Sequence, residues 1–223
     1  MGRSFGTAEL IYLLKAVPWT LLLSASALVC GAVVGLAVAI LRTAPSRPLR
    51  WIATGYIELF QGTPVLMQLF LAYYGLAVLF NIQFDAWSAV LIAFTLYSGA
   101  FLGEIWRGSI EAIPRAQWEA GESLTLSFAQ QLRLIILPQA ARISIPPTVG
   151  FAVQLIKSTS VAAIIGFVEL TRAGQLMTNT TFKPMIVYPI VAVLYFLICW
   201  PLSLLAKALE KRLDRSLGVK ADL

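Results

Sequence analysis

The chain has 223 residues, 59% of them hydrophobic and 13% charged, with 17 basic against 11 acidic side chains and no histidine. Soluble domains average about half apolar and about a quarter charged, so this composition argues against a water-soluble fold. A net charge of +6 on a soluble protein would suggest a nucleic-acid partner; here the basic residues flank long apolar runs, which reads as membrane topology and not nucleic-acid binding.

In chain order, Lys15 is followed by the uncharged run Val17–Leu41. That run is too long for the apolar core of a signal peptide, and no small-residue cleavage site follows it. Ala27-Leu28-Val29-Cys30 faintly imitates a lipoprotein signal, but bulky Val29 precedes the cysteine. The segment is expected as a mature transmembrane helix. A hydrocarbon core about 30 Å thick needs roughly 20 apolar residues per helical span. The expected spans are about 17–41, 64–82, 86–105, 147–165 and 184–206, within one transmembrane domain covering 1–223. Continuous runs of this kind exclude a β-barrel, whose strands would show short alternating segments. The fold class expected is therefore all-α integral membrane, with about five transmembrane helices. Cys30 and Cys199 both sit inside apolar runs and read as packing residues; neither a metal cluster nor a disulfide is expected.

Charge placement predicts orientation. Twelve basic residues fall on one side: Arg42, Arg47, Arg50, Arg107, Arg115, Arg133, Arg142, Lys207, Lys211, Arg212, Arg215 and Lys220. The other side has Arg3, Lys15, Arg172 and Lys183. The richer side is taken as cytoplasm, which puts the N-terminus outside and the C-terminus inside. The cytoplasmic segment of about 106–145 is too patterned for a linker. Trp118, Leu124, Leu126, Phe128, Leu132, Ile135 and Ile136 recur at roughly helical spacing between Pro114 and Pro138. Two short helices joined by a turn near Thr125–Ser127 are expected.

Polar residues at membrane depth are functional suspects. Lys157 interrupts an apolar helix and is followed by Ser158, Thr159 and Ser160. A buried ammonium requires acceptors or an anion. Two readings carry equal weight: contact with a substrate carboxylate, or an internal pair with Glu104 or Glu169. Gln61, Thr63, Gln68 and Gln154 can line a cavity, but interhelical hydrogen bonding, worth about 0.6 kcal/mol each, is the blander reading and the favoured one. Gly62-Thr63-Pro64 is expected to break or start a helix. Glu104 and Arg107, three residues apart, share a helix face, as an inner gate or, with the edge, as a structural pair. Gly31 and Gly35 permit close helix packing. The tail Lys207–Arg215 is a basic amphipathic end suited to membrane-lipid headgroups.

The cytoplasmic segment carries Glu119-Ala120-Gly121 and, later, Ile135-Ile136-Leu137-Pro138. This resembles the signature loop of importer permeases of the ATP-binding cassette class, which begins Glu-Ala-Ala, has a glycine four residues after the last alanine and closes with Ile-x-Leu-Pro. Two residues depart: Gly121 stands for the second alanine and Thr125 for the glycine. Threonine is poor at positive φ, where glycine is easy, so the turn geometry is an open question. Further segments are similar to the polar-amino-acid branch of that class: Glu58–Pro64, with Gln61 where arginine is usual; Gln68-Leu69-Phe70; Tyr73–Leu76; Ser98-Gly99-Ala100; Glu104–Gly108; Ala112-Ile113-Pro114; Gln117–Ala120; Pro138-Gln139-Ala140; and Lys157–Ser160.

The resemblance implies a type I importer permease, a multi-pass protein of the bacterial inner (plasma) membrane that moves a polar amino acid by alternating access. It implies a coupling loop at Glu119, Ala120, Gly121, Ser123, Leu124 and Thr125, seated on an ATPase. Taken alone, Glu119 would as readily be a solvated loop residue. The implied partners are a second permease subunit, identical or paralogous, two ATPase subunits and a substrate-binding protein. No Gly-x-x-x-x-Gly-Lys-Ser/Thr loop is present, so this chain is not expected to be an enzyme, and no cofactor is expected on it; ATP and Mg are expected on the partner ATPase. The branch often has an acid where Ser158 stands, so strongly basic amino acids are expected to be disfavoured at this half-site. The competing readings are an ion-coupled secondary transporter or channel acting without an ATPase, and a membrane scaffold with no transport role. The lack of an internal repeat and the scarcity of intramembrane acids argue against the first of these.

Overall fold

The computed structural model describes residues 5–44 and 46–217, without the side chains of 214–217. Arg3 and Lys220, counted above in the charge balance, lie outside the described residues, as does the side chain of Arg215. Every regular element is helical and no strand occurs among the described residues. The helices are α1 (Thr7–Thr43), α2 (Arg47–Gly62), α3 (Val65–Phe70), α4 (Leu76–Phe80), α5 (Ala86–Glu111), α6 (Arg115–Ser123), α7 (Phe128–Gln131), α8 (Leu137–Ser158), α9 (Leu170–Thr181) and α10 (Pro184–Leu217). Single π-helical turns at Leu71–Gly75 and Leu132–Ile136 join α3 to α4 and α7 to α8, and a 3-10 segment at Thr159–Ile165 prolongs α8.

Four helical stretches are long and apolar enough to cross a membrane, and a fifth crossing arises if the bent pair 47–62 and 65–80 counts as one. The helices run longer than the apolar spans they carry. α1 starts ten residues ahead of Val17, and at 1.5 Å per residue its 37 residues reach about 55 Å, well beyond a 30 Å core. The fourth span was expected to start after Pro146-Pro147; instead α8 passes straight through both prolines from Leu137. Each proline removes one N–H from the ladder, facing the carbonyls of Arg142 and Ile143, and membrane helices tolerate that loss where neighbouring groups compensate. α8 therefore begins inside the expected loop of about 106–145. Arg133 and Arg142, counted on the cytoplasmic side from the sequence, both lie exposed on helical turns. α2 and α9 lie in polar stretches and were not anticipated as helices.

α1 packs along the length of α5, and the reason is a glycine on each side. A Cβ on Gly31 would lie 2.4 Å from that of Ser98, and one on Gly35 2.9 Å from that of Leu102. Reciprocally, a Cβ on Gly99 or Gly103 would meet Val34 or Val38 at 2.6–2.7 Å. Two small-xxx-small faces therefore interlock, Gly31/Gly35 on α1 and Gly99/Gly103 on α5. The second was not read from the sequence. α8 lies against α5 on one side and α10 on the other. The main core, around Leu23, Leu69, Phe94, Leu102 and Leu155, fills the space between α1, α3, α5 and α8. A second core holds the start of α1 against α9 and α10 through Leu13, Leu170 and Val187. Large apolar side chains remain on the outside, such as Val33, Val78 and Phe196, as a chain solvated by lipid requires.

Asp85 begins α5, accepting from the backbone N–H groups of Trp87 and Ser88 and from the Ser88 hydroxyl. The Ser88 hydrogen bond holds its carboxyl below the ordinary range.

Candidate pathway and coupling loop

The loop is built from its glutamine and its turn. α6 ends in a double closure: Leu126 N–H donates to Gly121 O at 3.1 Å and Thr125 N–H to Glu122 O at 2.8 Å. This pair is the Schellman motif, and it places Thr125 in the left-handed region at φ 55°. The backbone conformation usual for glycine is therefore kept by a threonine, whose hydroxyl lies 2.7 Å from Leu124 O. Gly121 has its own reason. A Cβ there would come within 2.8 Å of Gln131 Cγ, and Gln131 is buried with its amide donating to Leu126 O at 2.9 Å. The alanine usual in the motif would displace that bracket. Ser127 caps α7 in a reciprocal box with Gln130. Trp118 stacks on Phe128 at 5.8 Å and secures α6 to α7.

Beneath the loop, Ile110, Ile113, Ile136 and Ala140 form a small core that joins it to the ends of α5 and α8. Glu119, Ala120, Ser123, Leu124 and Thr125 are exposed, and Gly121 is buried. Leu124 at 68% and Phe128 at 50% exposure leave apolar surface outside the loop core. An exposed hairpin with two acids, Glu119 and Glu122, and a protruding leucine suits a groove on another protein.

Gln68 belongs to the bend between α2 and α3. The chain turns by 104° at Thr63-Pro64. There the Gln68 amide donates to Phe60 O at 2.8 Å, Thr63 O at 3.1 Å and the Thr63 hydroxyl at 3.0 Å. It replaces backbone donors lost at the break, while Thr63 in turn donates to Leu59 O. Gln61 is exposed and reaches Ala100 O on α5 at 3.4 Å. Tyr56 on the same helix donates to Leu96 O at 2.6 Å.

Lys157 sits at the end of α8 where the helix tightens into the 3-10 segment. It is exposed on this chain and makes no ion pair with a described residue. Neither alternative partner is available. Glu104 accepts from Arg107, with Nε at 2.8 Å, and Arg107 also grips Glu111 one turn on. Glu169 caps α9. Within this chain Lys157 is therefore not paired with Glu104 or Glu169. Ser158, Thr159 and Ser160 donate back to Gln154 O, Ile156 O and Lys157 O at 3.0, 2.7 and 2.7 Å. Gln154 is exposed one turn before Lys157 and holds Tyr97 at 3.3 Å. Gln154 and Lys157 are thus both exposed near the end of α8, with Gln154 also bonded to Tyr97, whereas Thr159 is buried and Gln61 lies on α2.

Sequence reasoning weighed Glu169 only as a partner for Lys157; the structure makes it a buried cap of α9. Glu169 has no exposed surface and accepts from Thr171 N–H at 2.9 Å, Arg172 N–H at 2.8 Å and Tyr195 Oη at 2.6 Å. Burial pushes its carboxyl above the ordinary range, against the pull of those hydrogen bonds. Thr20 of α1 accepts from Leu170 N–H beside it at 3.0 Å. An acid just before a helix start was the available signal.

Residues 31–218 match the model of the family described as binding-protein-dependent transport system inner membrane component. The chain is 38% identical over 201 residues to a probable amino-acid ABC transporter permease of Bacillus subtilis (strain 168), covering 90% of this chain and 88% of the relative. It is 34% identical to the glutamine transport system permease of Escherichia coli (strain K12), covering 90% and 92%. Among solved structures, that of an amino acid ABC transporter with histidines superposes with a TM-score of 0.87 at 29% identity, covering 94% of this chain and 100% of the other. The inward-facing methionine transporter MetNI shares the fold at 18% identity and a TM-score of 0.73.

Proposed function

Since the chain belongs to the binding-protein-dependent transport system inner membrane components, as the membrane subunit of an ATP-driven importer of the bacterial inner membrane, we propose that its cargo is a polar amino acid and that the α6–α7 hairpin is where an ATPase drives it. The observation that carries the coupling assignment is the Schellman-closed turn at Thr125. It fixes the turn between α6 and α7, and the small core of Ile110, Ile113, Ile136 and Ala140 packs the exposed hairpin on the ends of α5 and α8. ATP and Mg bind the partner ATPases, and this chain forms and breaks no covalent bond. A second permease subunit completes the pathway, and a binding protein delivers cargo to the outer face. The charge balance supports an N-terminus outside and the hairpin in the cytoplasm.

Lys157 and Gln154 supply an ammonium and an amide on an open face of α8, suited to an amino-acid carboxylate. No acid stands at Ser158 to hold a cationic side chain. Neutral or acidic amino acids are therefore the favoured cargo class. Reconstitution with the cognate ATPase and binding protein tests both parts. Glu119→Lys should abolish ATP-dependent uptake and weaken ATPase co-purification; survival of both sinks the coupling assignment. A clear preference for arginine over glutamine and glutamate sinks the cargo assignment. Uptake by the chain alone, without ATP, sinks the ATP-driven reading.

A further inference from the structure

At the hairpin end of the helices, α8 and α10 part to leave a cleft of about 190 Å³ lined by Arg142, Ile145, Pro146, Leu209, Arg212 and Leu213. Two guanidinium groups from two different helices line it, and apolar side chains form the remaining walls. Both arginines are exposed, and neither has an ion pair or hydrogen bond with a described residue. Glu210, the nearest acid in sequence to Arg212 with a described side chain, lies two residues away and so on the opposite side of α10. Lys207 and Lys211 add positive field along the same helix. Ile145 is shared with a larger, almost wholly apolar groove of about 700 Å³ between α1, α5 and α8, which Leu36, Ile40, Ala141 and Val149 help to line.

We propose that this cleft is a binding site for one anionic phospholipid, its phosphate held by Arg142 and Arg212 and an acyl chain laid over Ile145 into the apolar groove. Charge decides the class. Two unpaired guanidiniums favour an anion, and guanidinium geometry suits phosphate. Position decides the source. The cleft lies just past the apolar run of α10, at headgroup level, with apolar surface beside it that a free phosphate would leave unused. The bound lipid ties α8, which leads to the hairpin, to α10. The site stands on the membrane-subunit reading but not on the identity of the cargo.

The full chain, co-purified with its ATPase, is extracted from membranes containing phosphatidylglycerol and examined by native mass spectrometry under graded delipidation. One phosphatidylglycerol per permease chain is expected to persist longest. Arg142→Gln with Arg212→Gln should lower its retention roughly thirtyfold, at about fivefold per basic residue. Arg47→Gln with Arg133→Gln removes the same charge outside both the cleft and the basic tail and should leave retention within about twofold, less than the effect of one basic residue in the cleft. Equal loss in both double variants overturns the site in favour of diffuse surface attraction, as does a wild-type chain that retains no lipid. Displacement by inorganic phosphate alone overturns the phospholipid as occupant. Unchanged melting of both double variants in detergent separates lost lipid from lost fold. Uptake assays are not part of the readout, so a failed cargo assignment leaves this test standing.

Discussion

Tyr195, in the first half of α10, donates a 2.6 Å hydrogen bond to Glu169, the residue that caps α9. Its oxygen also lies 3.0 Å from the Thr171 hydroxyl. One phenol thereby joins two helices across a fully buried carboxylate. Tyr195→Phe leaves that carboxylate short of a donor and is expected to cost about 2 kcal/mol in a detergent unfolding assay. A change within error would show that water or relaxation replaces the phenol.

The same carboxyl gives a pH dependence with a definite sign. Burial raises its pKa in the folded state, so between the unfolded and folded values the native chain holds the proton that the unfolded chain has lost. Stability from this group therefore falls as pH rises through that window. Glu169→Gln cannot titrate and is expected to flatten the decline. Parallel melting curves for wild type and variant from mildly acidic to neutral pH would refute it.

The glycine contact between α1 and α5 is directly testable. Gly31→Ala places a methyl 2.4 Å from Ser98 Cβ and 3.2 Å from the Gly99 backbone. Overpacking of this kind is expected to destabilise by about 1–3 kcal/mol. Gly55→Ala on α2 meets nothing within 4 Å and should stabilise by about 0.5–1 kcal/mol through helix propensity. Thermal unfolding of the two variants side by side should give opposite signs.

Thr125 holds a left-handed backbone conformation with a β-branched side chain. Thr125→Gly removes that strain and is expected to stabilise the hairpin by about 1 kcal/mol. Amide exchange at Thr125 and Leu126 is the local readout, and faster exchange in the glycine variant would contradict the strain argument.

Gln68 is expected to matter more for shape than for recognition. Gln68→Ala strips donors from Phe60 O and Thr63 O at the bend, at a cost of about 1–3 kcal/mol. Spin labels on α2 and α4 should report a widened spread of the 104° angle. An unchanged distribution would return Gln68 to the list of candidate cargo ligands.

The long apolar runs made an all-helical membrane fold of four to five crossings legible, and helical periodicity did the same for the two short helices between Pro114 and Pro138. Helix ends were not legible. Arg133 and Arg142 told the side of the membrane from the sequence, but both lie exposed on helical turns and mark no helix end. Pro146 and Pro147 misled, since a proline removes a donor without having to end a helix in a packed bundle. The reason for Gly121 needed the structure, because its partner Gln131 is ten residues away on another helix. Gln68 and Glu169 were hidden similarly: their acceptors and donors are fixed only once the bend and α10 are in place.

α8 is also a mechanical element. Its 22 residues make a rod of about 33 Å running from the hairpin's small core to Lys157. A stiff rod converts a small tilt at one end into a displacement several times larger at the other. The hydrogen-bond ladder along this path is interrupted at the π turn Leu132–Ile136 and at the proline pair. A load on the exposed hairpin would therefore cross the small core of Ile110, Ile113, Ile136 and Ala140 before travelling along one helix to the Lys157 end.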